Sequence, residues 1–270
     1  MGDANACGRT REEEPPLPAE AVAALIRKLR KHSVLSSSDE RIMRRLHPRV
    51  AGAARGTDIV RQGDRPDVSV FVLDGMLARH HTLPEGDRQY ISLHIAGDLP
   101  DLQSLFLKVM DHSLMAIDDA QIALFSHQEL TVLMRDAPDV GCALWRQSLI
   151  DAAIFRESVT NIGLRSGVER LAHILCEQFV RAKDADIAEG NACNFPLTQL
   201  QIGQLLGMSL VSVNRSLQAL RKERCVELRD GRLVVKDLKR LEARAAFDPG
   251  YLHLDLLDVA AKSRRRQSSG

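Results

Sequence analysis

Residues 198–223, TQLQIGQLLGMSLVSVNRSLQALRKE, leave this chain few choices of local fold. Thr198 is suited to cap a first helix whose apolar residues Ile202, Leu205 and Leu206 fall on one side. Gly207 supplies the left-handed turn that ends it, and Ser209 caps a second helix after Met208 alone. On that second helix Val213, Leu217 and Leu220 recur at helical spacing and must face a core. Asn214, Arg215, Gln218, Arg221 and Lys222 occupy the opposite face. One packed face and one face of hydrogen-bond donors is what a helix-turn-helix needs to enter a major groove. An ordinary helical hairpin with a solvated face fits the same residues, so the segment C-terminal to it decides.

That segment is CVELRDGRLVVKD. Two short alternating runs, Val226–Leu228 and Leu233–Val235, flank Asp230–Gly231 and predict a hairpin with a two-residue turn. A hairpin directly behind a helix-turn-helix is a wing, and Arg229 and Arg232 flank its turn. Between Thr198 and Arg244 there are ten Lys or Arg against five Asp or Glu, whereas the whole chain carries only +1. The positive charge is therefore concentrated here, which favours a polyanion whose binding weakens with salt. Double-stranded DNA is the expected partner. The alternative is a regulatory sensor whose winged helix makes protein–protein contacts, and that version would not need the basic excess.

At 270 residues and 44% hydrophobic content the chain can bury a substantial core, and its length suggests two domains. No apolar run reaches the ~18 residues of a membrane span, so no membrane association and a cytoplasmic location are expected. The first twenty residues are polar and acidic, without a signal-peptide core, and read as a disordered tail. Cys7, Cys142, Cys176, Cys193 and Cys225 form no C-x-x-C pair, and read as small hydrophobes in a reducing compartment. No nucleophile–base set, P-loop or metal cluster is legible, so an enzyme is not expected. The basic run Lys262 to Arg266 reads as a solvated end.

The N-terminal half switches to another pattern. After short helices near 21–32 and 39–46, glycines recur at Gly63, Gly75, Gly86 and Gly97, each beside an acidic residue. Between and after them lie DIV, SVFVL, YISLHI and AQIALF, rich in strand-forming residues. In YISLHI, Ile91, Leu93 and Ile95 face one way, Ser92 and His94 the other. Short, evenly spaced strands imply a sandwich or jelly roll, and a roll encloses a cavity suited to a small effector. A helix of about 26 residues, roughly 39 Å, then runs over 138–163, with Val140, Leu144, Ile150, Ile154 and Ile162 on one stripe. So long a helix is expected to pair with a copy of itself. Asn161-Ile162-Gly163 followed by Arg165-Ser166-Gly167 should break it, as a hinge before a helix over 168–183.

In that order, these parts resemble the Crp–Fnr family of bacterial transcription regulators. The resemblance is carried by IVRQGD, VFVLDGML, GDLPDL, SGVERLAHILCEQFVR, GMSLVSVNRSLQALR and FDPGYLHL, and runs from about 22 to 256. LVSVNR and FDPGYLHL are most similar to a branch common in alphaproteobacteria. The resemblance implies an α+β chain of five parts: a tail over 1–20, a cyclic-nucleotide-binding-like β-roll sensor over 21–135, a dimerisation helix over 136–163, a Crp-type winged helix-turn-helix over 164–245, and an extension with a basic tail over 246–270. It further implies a homodimer on a palindrome, with RNA polymerase as a partner if the protein activates.

The departures are equally specific. Cyclic-nucleotide binders of the family carry Gly-Glu and then Arg beside Ser or Thr. DLPDLQSLFLKVMDHSLMA has no glutamate, and His112-Ser113 stands at the arginine's place. A phosphate would lack its charge-assisted partner, so cAMP and cGMP are not expected. Iron–sulfur members carry an N-terminal cysteine cluster, where this chain has only Cys7. Haem stays open through His80, His81, His94 and His112, although histidines on strand surfaces are expected to be solvated. Adjacent His80 and His81 cannot both ligate one metal inside a barrel, because they point to opposite faces. No cofactor and no metal is assigned. Many family members place a glutamate at the position of Val211, four residues before the arginine matched by Arg215. Valine can touch a thymine methyl but accepts nothing from cytosine, so a different half-site is expected. The expected groove contacts are Ser209, Val211, Ser212, Asn214 and Arg215, with Thr198, Gln199, Arg229 and Arg232 nearer the phosphates.

Overall fold

The computed structural model describes residues 16–254. Residues 1–15 of the expected tail, Cys7 and the basic run 262–266 lie outside the described residues. Helix α1 (Pro18–Arg30) begins inside the stretch read as tail. Proline is favoured in a first helical turn, whose N–H has no partner anyway, and Glu20 accepts from the Leu17 N–H at 2.9 Å. Helix α2 (Ser37–Met43) comes next, capped by Ser36.

Seven strands form the roll: β1 (Arg49–Ala53), β2 (Asp58–Val60), β3 (Val68–Asp74), β4 (Leu77–Thr82), β5 (Arg88–His94), β6 (Ser113–Ala116) and β7 (Ala120–Ser126). They pair antiparallel in two sheets, ordered β1-β7-β3 and β2-β6-β4-β5. Val60, Val70, Val72, Leu77, Leu114 and Ile122 fill the space between them. A one-turn helix, α3 (Ser104–Leu107), lies between β5 and β6. Strands β1, β4 and β6 escape the period-two reading. In β4 Leu77, Ala78, Arg79 and His80 are all buried, because other elements cover the sheet's outer face as well. For the same reason the expectation of solvated histidines fails: His80, His94 and His112 are buried, and only His81 is exposed.

Helix α4 (His127–Asp136) leads into α5 (Pro138–Leu164), 27 residues long and unbroken at Asn161. The helix ends at Leu164 and Arg165 is extended, so the break falls within the expected hinge, while Asn161 lies buried just before it and donates to the Arg170 carbonyl at 3.2 Å. The expected pairing stripe is corrected. Its Val140, Leu144, Ile150 and Ile154 are buried within the protomer, and its Ile162 is exposed together with a second row, Trp145, Leu149, Phe155 and Val159. Two faces of α5 are apolar, and a single stripe could not describe both.

After Arg165 the chain continues as α6 (Gly167–Asp184), β8 (Ala192–Asn194), α7 (Gln199–Leu206), α8 (Leu210–Lys222), β9 (Val226–Arg229), β10 (Arg232–Val235), α9 (Leu238–Ala245) and a 3₁₀ turn (Pro249–Leu252). One apolar cluster runs from Ala78, Tyr90, Leu93 and Ile95 of the roll into Leu175, Phe179, Phe195 and Leu205 of the winged helix. Charged groups cross the same junction. Arg181 of α6 donates to the Leu93 carbonyl at 3.0 Å and pairs with Asp98, which also meets Lys28 of α1 at 3.4 Å. Burial opposes ionisation of Asp98, but Arg181 and Lys28 outweigh it and hold the carboxyl at about 2.

Candidate nucleic-acid interface

The helix-turn-helix is built by its caps and two glycines. Thr198 Oγ1 accepts from the Gln201 N–H at 3.2 Å, and Gln201 Oε1 accepts from the Thr198 N–H at 2.9 Å. Gly207 ends α7 at φ 61°, ψ 44°, a left-handed conformation that costs other residues more. Gly203 serves closeness instead: a Cβ there would lie 2.5 Å from the Met208 carbonyl oxygen. Ser209 then caps α8, accepting from the Ser212 N–H at 3.2 Å, and its hydroxyl donates to Ser212 Oγ at 3.0 Å. Val213, Leu217 and Leu220 are buried, as their spacing requires.

The opposite face of α8 is open. Val211 is 76% exposed, and Asn214, Arg215 and Gln218 are exposed beside it. Asn214 Nδ2 donates to Gln199 Oε1 at 3.3 Å, linking the two helices at their outer surface. The wing turns through Asp230 at φ 51° and Gly231 at φ 73°, the double left-handed turn that suits strand twist. Arg229 is exposed and meets Asp230 at 3.1 Å, whereas Arg232 is held at 2.8 Å by Glu189. Of the nine expected contacts, Ser209, Val211, Asn214 and Arg215 share the open face of α8, with the partly exposed Ser212 beside them. Thr198 and Gln199 sit at the start of α7, and Arg229 and Arg232 on the wing.

Two features had escaped the sequence. Arg221 donates to the Leu228 carbonyl at 2.6 Å and so fixes the wing to α8. Helix α7 also docks on β5: Gln89 donates to the Leu205 carbonyl at 3.3 Å, and Gln201 to Tyr90 Oη at 3.4 Å. Contacts between residues more than a hundred positions apart leave no local signature. Cys176, Cys193 and Cys225 are buried behind this surface as expected, while Cys142 is exposed on α5. Burial pushes the Cys193 thiol up to about 11, against a smaller pull from Arg232, so it is not a reactive thiolate. Among the described residues no three His, Cys, Asp or Glu side chains converge to hold a metal. No described helix is long and apolar enough to cross a membrane.

A winged helix-turn-helix presenting donors on an open face, joined by a long helix to a β-roll, defines a DNA-binding transcription regulator. The chain belongs to the Crp–Fnr family. The family model for a Crp-like helix-turn-helix domain matches residues 169–244, and that for a cyclic nucleotide-binding domain matches residues 53–137. A probable transcriptional activator of Rhizobium leguminosarum bv. viciae is 24% identical over 188 residues, 69% of this chain and 77% of that protein. The transcriptional activator protein FnrL of Cereibacter sphaeroides is 26% identical over 200 residues, 72% of this chain and 79% of that protein. Among solved structures, FixK2 from Bradyrhizobium japonicum superposes with a TM-score of 0.65 at 20% identity, covering 74% of this chain and 98% of that one.

Proposed function

We propose that the chain regulates transcription as a homodimer on a palindromic operator, one α8 in the major groove of each half-site. The observation that carries this reading is the open face of α8, where Val211, Asn214 and Arg215 stand exposed on a helix anchored by its opposite side. The exposed apolar row of α5 supports the dimer: Trp145, Leu149, Phe155, Val159 and Ile162 are 38–66% exposed on one helix. Two-fold pairing along that row covers them and sets two reading heads side by side. The curated relatives named as activators support an activating role, with RNA polymerase as the further partner.

Sequences selected from a random pool should carry two half-sites about 10–10.5 bp apart, or a multiple of that spacing, centre to centre. Arg215→Ala should cost about 1–3 kcal/mol on the selected operator and relax discrimination at one base pair, read by fluorescence anisotropy. An equal loss on scrambled DNA would make Arg215 a phosphate contact, and selection of single half-sites would remove the dimeric reading.

The roll is proposed to sense something other than a cyclic nucleotide or haem. Arg79, on the inner side of β4, is already engaged by the Pro100 carbonyl and by Asp151 of α5 at 2.7 Å. His80 is bonded to Asp58 at 2.9 Å and His94 to Ser92 at 2.9 Å. Burial and then Arg79 hold His94 well below its ordinary pKa, so it is neutral. A ligand at a hundred times its Kd stabilises by about 2.7 kcal/mol, so a rise in Tm with cAMP or cGMP, or a Soret band in the purified protein, would contradict this.

A further inference from the structure

The apolar row of α5 continues past the helix itself. At its N-terminal end, Trp145 borders a groove of about 580 Å³ whose other wall is Leu105, Phe106 and Leu107 of α3, with Met134 and Leu102 also lining it. Phe106 is 67% exposed, Leu107 64% and Trp145 66%, while α3 itself contains no charged residue. At seven-residue spacing Trp145, Ala152 and Val159 align, and so do Ser148, Phe155 and Ile162. The groove therefore lies on the same face as the exposed row, directly in line with it.

We infer that α3 is part of the dimer seam: each protomer's Phe106 and Leu107 receive the partner's Trp145. This rests on the homodimer proposed above and adds to it a second contact element outside α5. A two-fold parallel pairing brings each residue level with its own copy, so the partner's Trp145 arrives at the height of this groove. Paired helices stand about 8–10 Å apart, too close to stack two indoles between their axes. The indole must lean aside, and the apolar space open to it is the wall made by α3. The consequence is a short route from sensor to seam. The segment joining β5 to α3 includes Pro100, whose carbonyl is gripped by Arg79, and the same guanidinium bonds Asp151 of α5. A rearrangement inside the roll that shifts this segment acts directly on the partner's helix.

Trp145 is the only tryptophan in the chain, so tryptophan emission comes from this position alone. The full-length protein is compared with the double variant Phe106→Ser/Leu107→Ser, whose replaced side chains are exposed in the protomer and leave its core intact. Dimer dissociation is tracked by analytical ultracentrifugation and emission across a dilution series. The wild type should emit blue as a dimer and shift red on dilution. The variant should raise the dissociation constant by at least about tenfold and emit red where the wild type is still dimeric. An unchanged dissociation constant with unchanged emission overturns the inference while leaving the dimer intact. A wild type that is monomeric at every concentration overturns the homodimer itself. Blue emission from a monomer, with or without added mass in native mass spectrometry, assigns the groove to another occupant and overturns the inference as well.

Discussion

Asp101 shows how one buried side chain sets a pH response. Its Oδ1 accepts from the Val70 N–H at 2.7 Å, and its Oδ2 is buried with no hydrogen-bond partner among the described residues. Burial pushes this carboxyl up to about 7, although the Val70 N–H and Arg79 pull the other way. Unfolded, the group titrates near ~3.9, so folding favours its protonated form. The stability that Asp101 contributes is full below that value and is lost as pH rises through about 7. Asp101→Asn cannot ionise and keeps an acceptor for the Val70 N–H. Its Tm should therefore gain on the wild type between pH 5 and pH 8, and a difference that stays constant across that range would refute the assignment. Sequence reached some residues of this kind and missed others. Val211 and Arg215 were legible because helical period alone decides which side chains face outward. The burial of His80 and Asp101 was not, because it comes with partners such as Asp58 and Val70, which only the folded roll brings to them.

Among elements, legibility depended on how many faces are covered. Helices α7 and α8 each bury one face, so their caps and apolar spacing marked them almost to the residue. The wing was equally legible, because its Asp-Gly pair takes the two left-handed conformations that the turn demands. Strand β4 was invisible, since both its faces are buried and alternation vanishes. Helix α5 misled for a related reason. Its inner stripe packs on the roll and on the 3₁₀ turn, where Leu252 meets Ile150 and Ile154, while its outer row stays exposed. The most regular apolar stripe is thus the one already used inside the protomer. The proposed pairing of the outer row and the closeness of α7 to α8 place opposite demands on side chains. Bulky residues such as Trp145 and Phe155 serve the first, and the bare Cα of Gly203 serves the second.

At the scale of the whole molecule, roll and winged helix share material instead of merely being linked. Tyr90, only 2% exposed, lies in the apolar cluster that continues into α6 and α7, and its hydroxyl accepts from Gln201. Arg181 reaches from α6 to the Leu93 carbonyl and Asp98. The C-terminal turn closes the far side: Tyr251 stacks on His173 of α6 at 5.9 Å and donates to Glu177 at 2.9 Å, while Leu252 packs on α5. Two units that bury a common core lose part of it if either unfolds alone, which couples their unfolding. The wild type should then melt in one calorimetric transition, with circular dichroism and Trp145 emission changing together. Removing the Tyr90 side chain takes away a buried aromatic worth about 3–5 kcal/mol, all of it at the shared boundary. Tyr90→Ala should therefore split the transition in two, whereas Tyr90→Phe, which loses only the hydroxyl's bonds from Gln201 and to Met115 Sδ, should keep it single. Two well-separated transitions in the wild type would mean that the common core does not couple the roll to the reading head, and any effector in the roll would then have to act through the proposed α3–α5 seam alone.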